Sequence, residues 1–104
     1  MDYDIITEIE LLLQDYLGQG EKIHLWQVLA GVDLIYKLIP NLEELNEAIN
    51  GVGGIKINRS RDFIEIHSMG QKESDYFTKK DLVIAMNNYT QQFNKSIKNK
   101  HNKT

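Results

Sequence analysis

The sequence predicts a single α+β domain that is mostly helical, with the order helix, helix, helix, strand, strand, helix. Apolar residues recur every three or four positions in three segments before residue 53 and in one after residue 77, which is the spacing of amphipathic helices. Between these segments, four isoleucines alternate with polar residues, as in half-buried strands: Ile55, Ile57, Ile64 and Ile66. The length of 104 residues is that of one domain.

The first two predicted helices differ in the width of their apolar surface. Residues 3–17 carry a one-sided stripe of Ile5, Ile6, Ile9, Leu12, Leu13 and Tyr16. Gly18 and Gly20 end this helix, because glycine readily adopts the left-handed conformation of a helix end. Residues 23–39 are apolar on most sides, so the second helix is expected at the centre of the fold. Its predicted buried stripe is Leu25, Val28, Leu29, Val32, Ile35 and Ile39, and Pro40 stops it.

The third helix is predicted from its two ends. Asn41 and Glu44 have the spacing of a capping box, which begins a helix. The glycine-rich run at residues 51–54 ends the helix and leads into the first strand. The buried face is predicted to be Leu42, Leu45, Ile49 and Val52. Residues 58–62 form the turn between the two strands.

The last helix follows a polar loop at residues 68–76. Thr78 and Asp81 form a second capping box, with aspartate in place of the usual glutamate. Phe77 and Leu82 stand where a hydrophobic staple fixes the start of a helix. The predicted apolar stripe is Leu82, Ala85, Met86, Tyr89 and Phe93. We therefore expect one domain at residues 1–93 and a basic tail, rich in lysine and asparagine, at residues 94–104.

The charge of the chain is unevenly distributed. Residues 1–60 hold four Lys/Arg and ten Asp/Glu, a net charge of −6, whereas residues 61–104 hold eight and five, a net charge of +3. The tail contains no acidic residue and four lysines: Lys95, Lys98, Lys100 and Lys103. A basic end of this kind either contacts nucleic acid or is simply solvated.

Composition excludes several classes of protein. The absence of cysteine excludes disulfides, thiolate zinc sites and a cysteine nucleophile. The N-terminal residues are acidic, where a secretion signal is basic. No apolar run approaches the roughly 20 residues of a membrane-spanning helix. We expect a cytoplasmic protein that does not enter a membrane.

The region around residues 24–66 resembles a group of small bacterial winged-helix-like proteins of unassigned role. In that group a long helix carrying an aspartate leads through an Ile-Pro pair into a second helix, then a glycine and a strand. The matching residues are Asp33, Ile39, Pro40, Glu44, Leu45, Ile49, Val52, Gly54 and Ile55. The resemblance implies a winged-helix fold, and it implies no chemistry, because unrelated functions share one fold.

In a helix-turn-helix protein the second helix of the motif lies in the major groove of DNA. Here that helix presents Glu43, Asn46, Glu47 and Asn50. Asparagine can pair with adenine and glutamate with cytosine, but affinity depends largely on cations that neutralise phosphates. The hairpin supplies the cations Lys56, Arg59 and Arg61, and the basic tail adds others. A DNA-binding transcriptional regulator that uses these hairpin residues and the tail is therefore the alternative function.

The same acidic residues fit a protein-binding module better. Glu43 and Glu44 lie in the first turn of their helix, where the helix dipole favours negative charge. Leu11 and Leu17 of the first helix, the last helix, and two unpaired hairpin edges are candidate contact surfaces for a partner. The function we expect is a non-enzymatic winged-helix interaction module that binds a protein partner or forms a homodimer.

Enzymatic patterns are weak, and we expect no catalytic residue, cofactor or metal. Glu65 and His67 share one strand face, where they form either a metal or acid–base pair or an ordinary charge pair. Asp33 lies in an apolar helix, either as a carboxylate of raised pKa or as a hydrogen-bond acceptor for a neighbouring backbone group or tyrosine. The glycine-rich run follows a helix and precedes a strand, the reverse of a phosphate-binding loop.

Overall fold

The computed structural model describes residues 4–68 and 73–101, with side chains as far as residue 96. Within these ranges the chain forms four helices: α1 (Ile5–Gly18), α2 (Leu25–Tyr36), α3 (Leu42–Val52) and α4 (Lys79–His101). The strands β1 (Ile23–His24), β2 (Ile55–Arg59) and β3 (Ile64–Ser68) form one antiparallel sheet in the order β1–β3–β2. The α+β class and its mostly helical character are confirmed. The predicted element order also holds, except that β1 is an additional strand.

Helix α2 is shorter than the predicted segment 23–39 at both ends. Ile23 and His24 are extended and pair with β3, so the helix begins at Leu25. At the other end Lys37 adopts the left-handed conformation (φ 59°) and its N–H donates to the carbonyl of Asp33. Pro40 is therefore not what stops the helix, because the chain has already turned three residues earlier.

The ends of α3 agree with the prediction. Asn41 Oδ1 accepts the N–H of Glu44 at 2.8 Å, and Glu44 Oε1 accepts the N–H of Asn41 at 2.9 Å. The predicted capping box is thus formed in both directions. Gly53 (φ 77°, ψ 155°) and Gly54 (φ 64°) carry the chain from the helix into β2 in conformations that other residues rarely adopt.

The core lies between the inner face of the sheet and the helices. The four predicted strand isoleucines, Ile55, Ile57, Ile64 and Ile66, are all buried. Helix α1 packs against α3, and α2 packs against α1, α4 and the sheet. The helical contribution to the core is Ile9, Leu13, Leu25, Val28, Leu29, Val32, Leu45, Ala48, Ile49 and Ala85. Helix α2 therefore contacts most of the other elements, as predicted for a central helix.

The edges of the hairpin β2–β3, called the wing below, are not free. β3 pairs with β1 on one side, so it is the central strand. On the other side, Ser74 Oγ accepts the N–H of Ile55 at 3.0 Å, and Asp75 Oδ2 accepts the N–H of Ile57 at 3.0 Å. The N–H of Asp75 also donates to the carbonyl of Ile55. The expectation of two unpaired edges is therefore wrong, because β1 and the segment before α4 occupy them.

Helix α4 crosses the predicted boundary between domain and tail. Its backbone is helical to His101, so the boundary between residues 93 and 94 falls inside the helix. Lys95 is exposed. The side chains of Lys98 and Lys100, all of Lys103, and residues 69–72 of the predicted polar loop lie outside the described part of the chain.

Candidate functional site

The exposed side of α3 is only partly available to a ligand. Asn46 Oδ1 accepts the N–H of Phe77 at 2.8 Å, and Asn46 Nδ2 donates to the carbonyl of Phe77 at 3.1 Å. The hydroxyl of Tyr76 donates to Asn50 Oδ1 at 3.1 Å. The chain that leads into α4 therefore lies along the very face that base readout requires. Glu43 and Glu47 remain exposed.

Arg59 is bound to α4. Its Nε lies 2.9 Å from Asp81 Oδ1, its Nη2 donates to Asp81 Oδ2 at 2.9 Å, and Nη2 also donates to the carbonyl of Tyr76 at 2.8 Å. The side chain of Asp81 is 3% exposed, so the pair is buried on the carboxylate side. Burial raises the pKa of Asp81, but hydrogen bonds from Arg59 and Thr78 outweigh it and hold the pKa below its ordinary value.

Lys56 and Arg61 are the two remaining wing cations. Both are exposed, and within the described residues neither forms a hydrogen bond or ion pair. Lys56 lies opposite His67 on β3, while Arg61 lies in the turn beside α4. Of the seven predicted contact residues, Glu43, Glu47, Lys56 and Arg61 are thus available, whereas Asn46, Asn50 and Arg59 are engaged within the fold.

Glu65 and His67 lie on the outer face of the sheet with a third partner. Glu65 Oε2 lies 2.9 Å from Lys22 Nζ, and Glu65 Oε1 lies 3.7 Å from His67 Nε2. The hydrogen bond from Lys22 is the largest influence that lowers the pKa of Glu65. Glu65 therefore belongs to a surface charge cluster that includes the Lys22 ion pair. Among the described side chains, no group of three His, Asp or Glu residues could hold a metal ion.

Asp33 is explained by a hydrogen bond between helices. The hydroxyl of Tyr89 on α4 donates to Asp33 Oδ2 at 2.8 Å, and this bond raises the pKa of Tyr89. Of the two interpretations of Asp33, hydrogen bonding to a tyrosine is the one observed. The pair lies in a groove of about 310 Å³ whose lining is mostly apolar: Asp33, Ile39, Met86, Tyr89, Thr90 and Phe93.

Large apolar side chains are exposed at the end of α2, just after it and on α4, and among them Phe93 lines the groove. Leu34 is 75% exposed, Ile35 56%, Leu38 46% and Phe93 57%. We call these four residues, together with the groove, the α2–α4 surface. The sequence assigns Ile35 and Phe93 to buried stripes, and this is wrong. Each lies beyond the last fully buried apolar residue of its helix, Val32 in α2 and Ala85 in α4.

The two leucines suggested as a contact on α1 differ in exposure. Leu11 is exposed, whereas Leu17 is half-buried and packs against the core. Helical periodicity could have predicted that Leu34 is exposed, because Leu34 lies on the side of α2 opposite Val28, Leu29 and Val32. An apolar residue at such a position has no core to enter.

No protein-family model, curated protein or solved structure matches this chain. Within the described ranges, no helix combines the length and the apolar character needed to span a membrane. The exposed surfaces, and the side chains that the fold has already engaged, are therefore the features that bear on function.

Proposed function

We propose that this chain is a non-enzymatic winged-helix interaction module that forms a homodimer through the α2–α4 surface. The winged-helix assignment is supported by the helix pair α2–α3 followed directly by the wing. The interaction is supported by the apolar side chains that α2 and α4 leave in water. The dimer is favoured over a different protein partner because this surface carries both the groove and, at its border, the exposed ring of Phe93.

The exposed side chains of the α2–α4 surface supply the driving force. Leu34, Ile35 and Leu38 are exposed within five residues of one another at the end of α2, and Phe93 is exposed on α4, where it lines the groove. Full burial of one such side chain contributes about 1.5–3 kcal/mol relative to exposure. Apolar patches of this kind usually mark interaction sites on soluble proteins. This cluster is the observation that carries the proposal.

The shape of the surface suits association with an identical copy. A twofold dimer places the same patch of both molecules in contact, so the patch must complement itself. Phe93 is 57% exposed at the border of the groove of about 310 Å³. In a twofold arrangement Phe93 of each copy enters the groove of the other, above the hydrogen bond between Asp33 and Tyr89.

DNA binding is less well supported by the same contacts. Asn46 and Asn50 are held by the segment before α4, and Arg59 is paired with Asp81. The exposed groups of α3 are acidic and oppose phosphate. A transcriptional regulator would have to rely on Lys56, Arg61 and the lysines of α4.

The test is the solution mass of the full chain, measured by light scattering and sedimentation over a wide concentration range. We expect a dimer that Leu34→Ser and Phe93→Ser each convert to monomer without loss of helical circular dichroism. Val83→Ser is the matched control, because Val83 is 60% exposed on α4 but does not line the groove. A monomer at every concentration, or a dimer that tolerates both substitutions, would refute the proposal.

A duplex DNA titration at low and high salt separates the alternative. We expect no binding at low salt. Binding that weakens in an Arg61→Gln, Lys56→Gln double variant and falls with salt would instead support the DNA-binding regulator.

A further inference from the structure

A second pocket lies on the other side of α4, between this helix and the turn of the wing. Its volume is about 350 Å³, at the lower end of the range for small-molecule sites. The lining residues are Arg61, Asp62, Phe63, Ile84, Asn87, Asn88 and Gln91. None of them belongs to the α2–α4 surface, so the pocket is independent of the proposed dimer.

Hydrogen bonds hold the base of this pocket in place. Asn88 is buried, and its Nδ2 donates to the carbonyl of Asp62 at 2.8 Å, which ties the wing turn to α4. Within the turn, the N–H of Ser60 donates to the carbonyl of Phe63 at 3.0 Å, and the N–H of Phe63 donates to Ser60 Oγ at 3.0 Å. The pocket is therefore already shaped before a ligand arrives, which lowers the cost of binding.

Two opposite charges line the pocket without neutralising each other. The side chains of Arg61 and Asp62 are adjacent in sequence and both exposed, yet no ion pair joins them. Among the described residues neither side chain has any other hydrogen-bond or ionic partner. A guanidinium binds a carboxylate through two parallel hydrogen bonds, and a carboxylate accepts from an ammonium group. The pocket thus offers one site for each sign of charge.

The remaining walls combine apolar and amide groups. Phe63 is 40% exposed, and its ring is held by an edge contact with His24 at a centroid distance of 5.6 Å. Ile84 adds a second apolar wall. Asn87 and Gln91 are exposed on neighbouring turns of α4, and each amide can both donate and accept. These groups suit a ligand with an apolar portion beside its charges.

We propose that this pocket binds a small zwitterion of the α-amino acid class with an apolar side chain. The carboxylate of the ligand pairs with Arg61, its ammonium group pairs with Asp62, and its side chain lies against Phe63 and Ile84. The local charges cancel, so a zwitterion matches the pocket better than an anion or a cation does. The side-chain amides of Asn87 and Gln91 form further hydrogen bonds, as donor or acceptor, with the carboxylate and ammonium end of the ligand.

The first experiment titrates the full ¹⁵N-labelled chain with leucine, isoleucine, methionine, phenylalanine and tryptophan, with amide chemical shifts as the readout. We expect at least one of them to move the signals of residues 60–63 and 84–91 in a saturable way. 3-Phenylpropionate, which lacks the ammonium group, and phenethylamine, which lacks the carboxylate, should each bind at least tenfold more weakly than phenylalanine if phenylalanine binds. The absence of saturable shifts with all five amino acids would overturn the proposal. Equal binding of the acid or the amine would also overturn it.

Substitutions locate the site. Arg61→Gln and Asp62→Asn should each weaken the affinity of the best amino acid at least tenfold, because each removes one charge-assisted contact. Lys56→Gln is the matched control, since Lys56 is a wing cation that also has no partner in the described part of the chain and does not line the pocket. Binding that survives both pocket substitutions, or that falls equally in the Lys56 variant, would contradict the assignment. Dimerisation measured on the same samples separates this proposal from the proposed function.

Discussion

Replacing Asp81 with alanine should destabilise the protein strongly, because one carboxylate serves two structural roles. Asp81 Oδ2 accepts the N–H of Thr78 at 2.8 Å, and the N–H of Asp81 donates to Thr78 Oγ1 at 3.3 Å, which caps α4. The same carboxylate receives both Nε and Nη2 of Arg59 at 2.9 Å. Asp81 thus links the end of β2 to the start of α4.

The size of the effect follows from these two roles. Loss of a helix cap costs about 1 kcal/mol. Removal of one partner from a buried ion pair costs about 3–5 kcal/mol, but the side chain of Arg59 is 41% exposed and water can partly replace the carboxylate. We therefore expect a total of about 3 kcal/mol for Asp81→Ala, from the cap and a reduced ion-pair contribution. For a chain of this length that corresponds to a fall in Tm of about 12–15 °C.

Urea and thermal unfolding followed by circular dichroism measure this loss. Arg59→Gln should cost about 2–3 kcal/mol, because it keeps the cap but leaves the buried carboxylate of Asp81 without its charged partner. Arg61→Gln is the neighbouring control and should stay within about 0.5 kcal/mol of the natural protein. If Asp81→Ala and Arg59→Gln are as mild as Arg61→Gln, the link between β2 and α4 does not stabilise the fold and the reasoning is wrong.

The same pair gives the stability a dependence on pH. Because the pKa of folded Asp81 is lower than that of the unfolded chain, its contribution is complete above the ordinary pKa of about 4. It is lost as the pH falls through the folded value. The difference in the free energy of unfolding between the natural protein and Asp81→Asn should be constant near neutral pH and shrink below about pH 4. A difference that persists unchanged at lower pH would contradict the assigned ionisation.

Three further substitutions test separate contacts, each by urea unfolding. Asn46→Ala should lower the free energy of unfolding by about 2 kcal/mol, because it leaves both backbone groups of buried Phe77 without partners. A loss no larger than that of a surface substitution would show that water replaces the amide. Lys37→Gly should stabilise the protein by about 1 kcal/mol, since it relieves a left-handed residue, and destabilisation would refute this reading. Gly53→Ala should cost about 1–3 kcal/mol from backbone strain alone, because no atom of the described residues lies within 4 Å of the added methyl group, and a neutral result would argue against the strained conformation.

Local patterns predicted most of the fold. The boxes at Asn41 and Thr78 and the four strand isoleucines depend on interactions within a few residues, and they appear as expected. β1 could not be predicted, because two residues are too few to show alternation and their partner, β3, lies about forty residues away in sequence. The end of α2 at Tyr36 could not be predicted either, since lysine is not a residue type that indicates the left-handed conformation seen at Lys37.

The candidate contact residues were harder to predict than the fold. Composition does not distinguish Arg59 from Arg61, yet Arg59 is bound to Asp81, whereas Arg61 has no partner among the described residues. The difference arises from where the segment before α4 crosses the wing, which is a contact between residues more than twenty positions apart. Asn46 shows the same effect, because its amide is engaged by Phe77 rather than by solvent.

The position of β3 between β1 and β2 has a consequence for motion. A hairpin attached only by its ends could open and close separately, but here Ile66 pairs with Ile23 from the N-terminal half and with Ile57 from the wing. Opening the wing therefore breaks contacts with the helical half at the same time. The amides of β3 should exchange with solvent only when the whole domain unfolds, so the chain behaves as one cooperative unit.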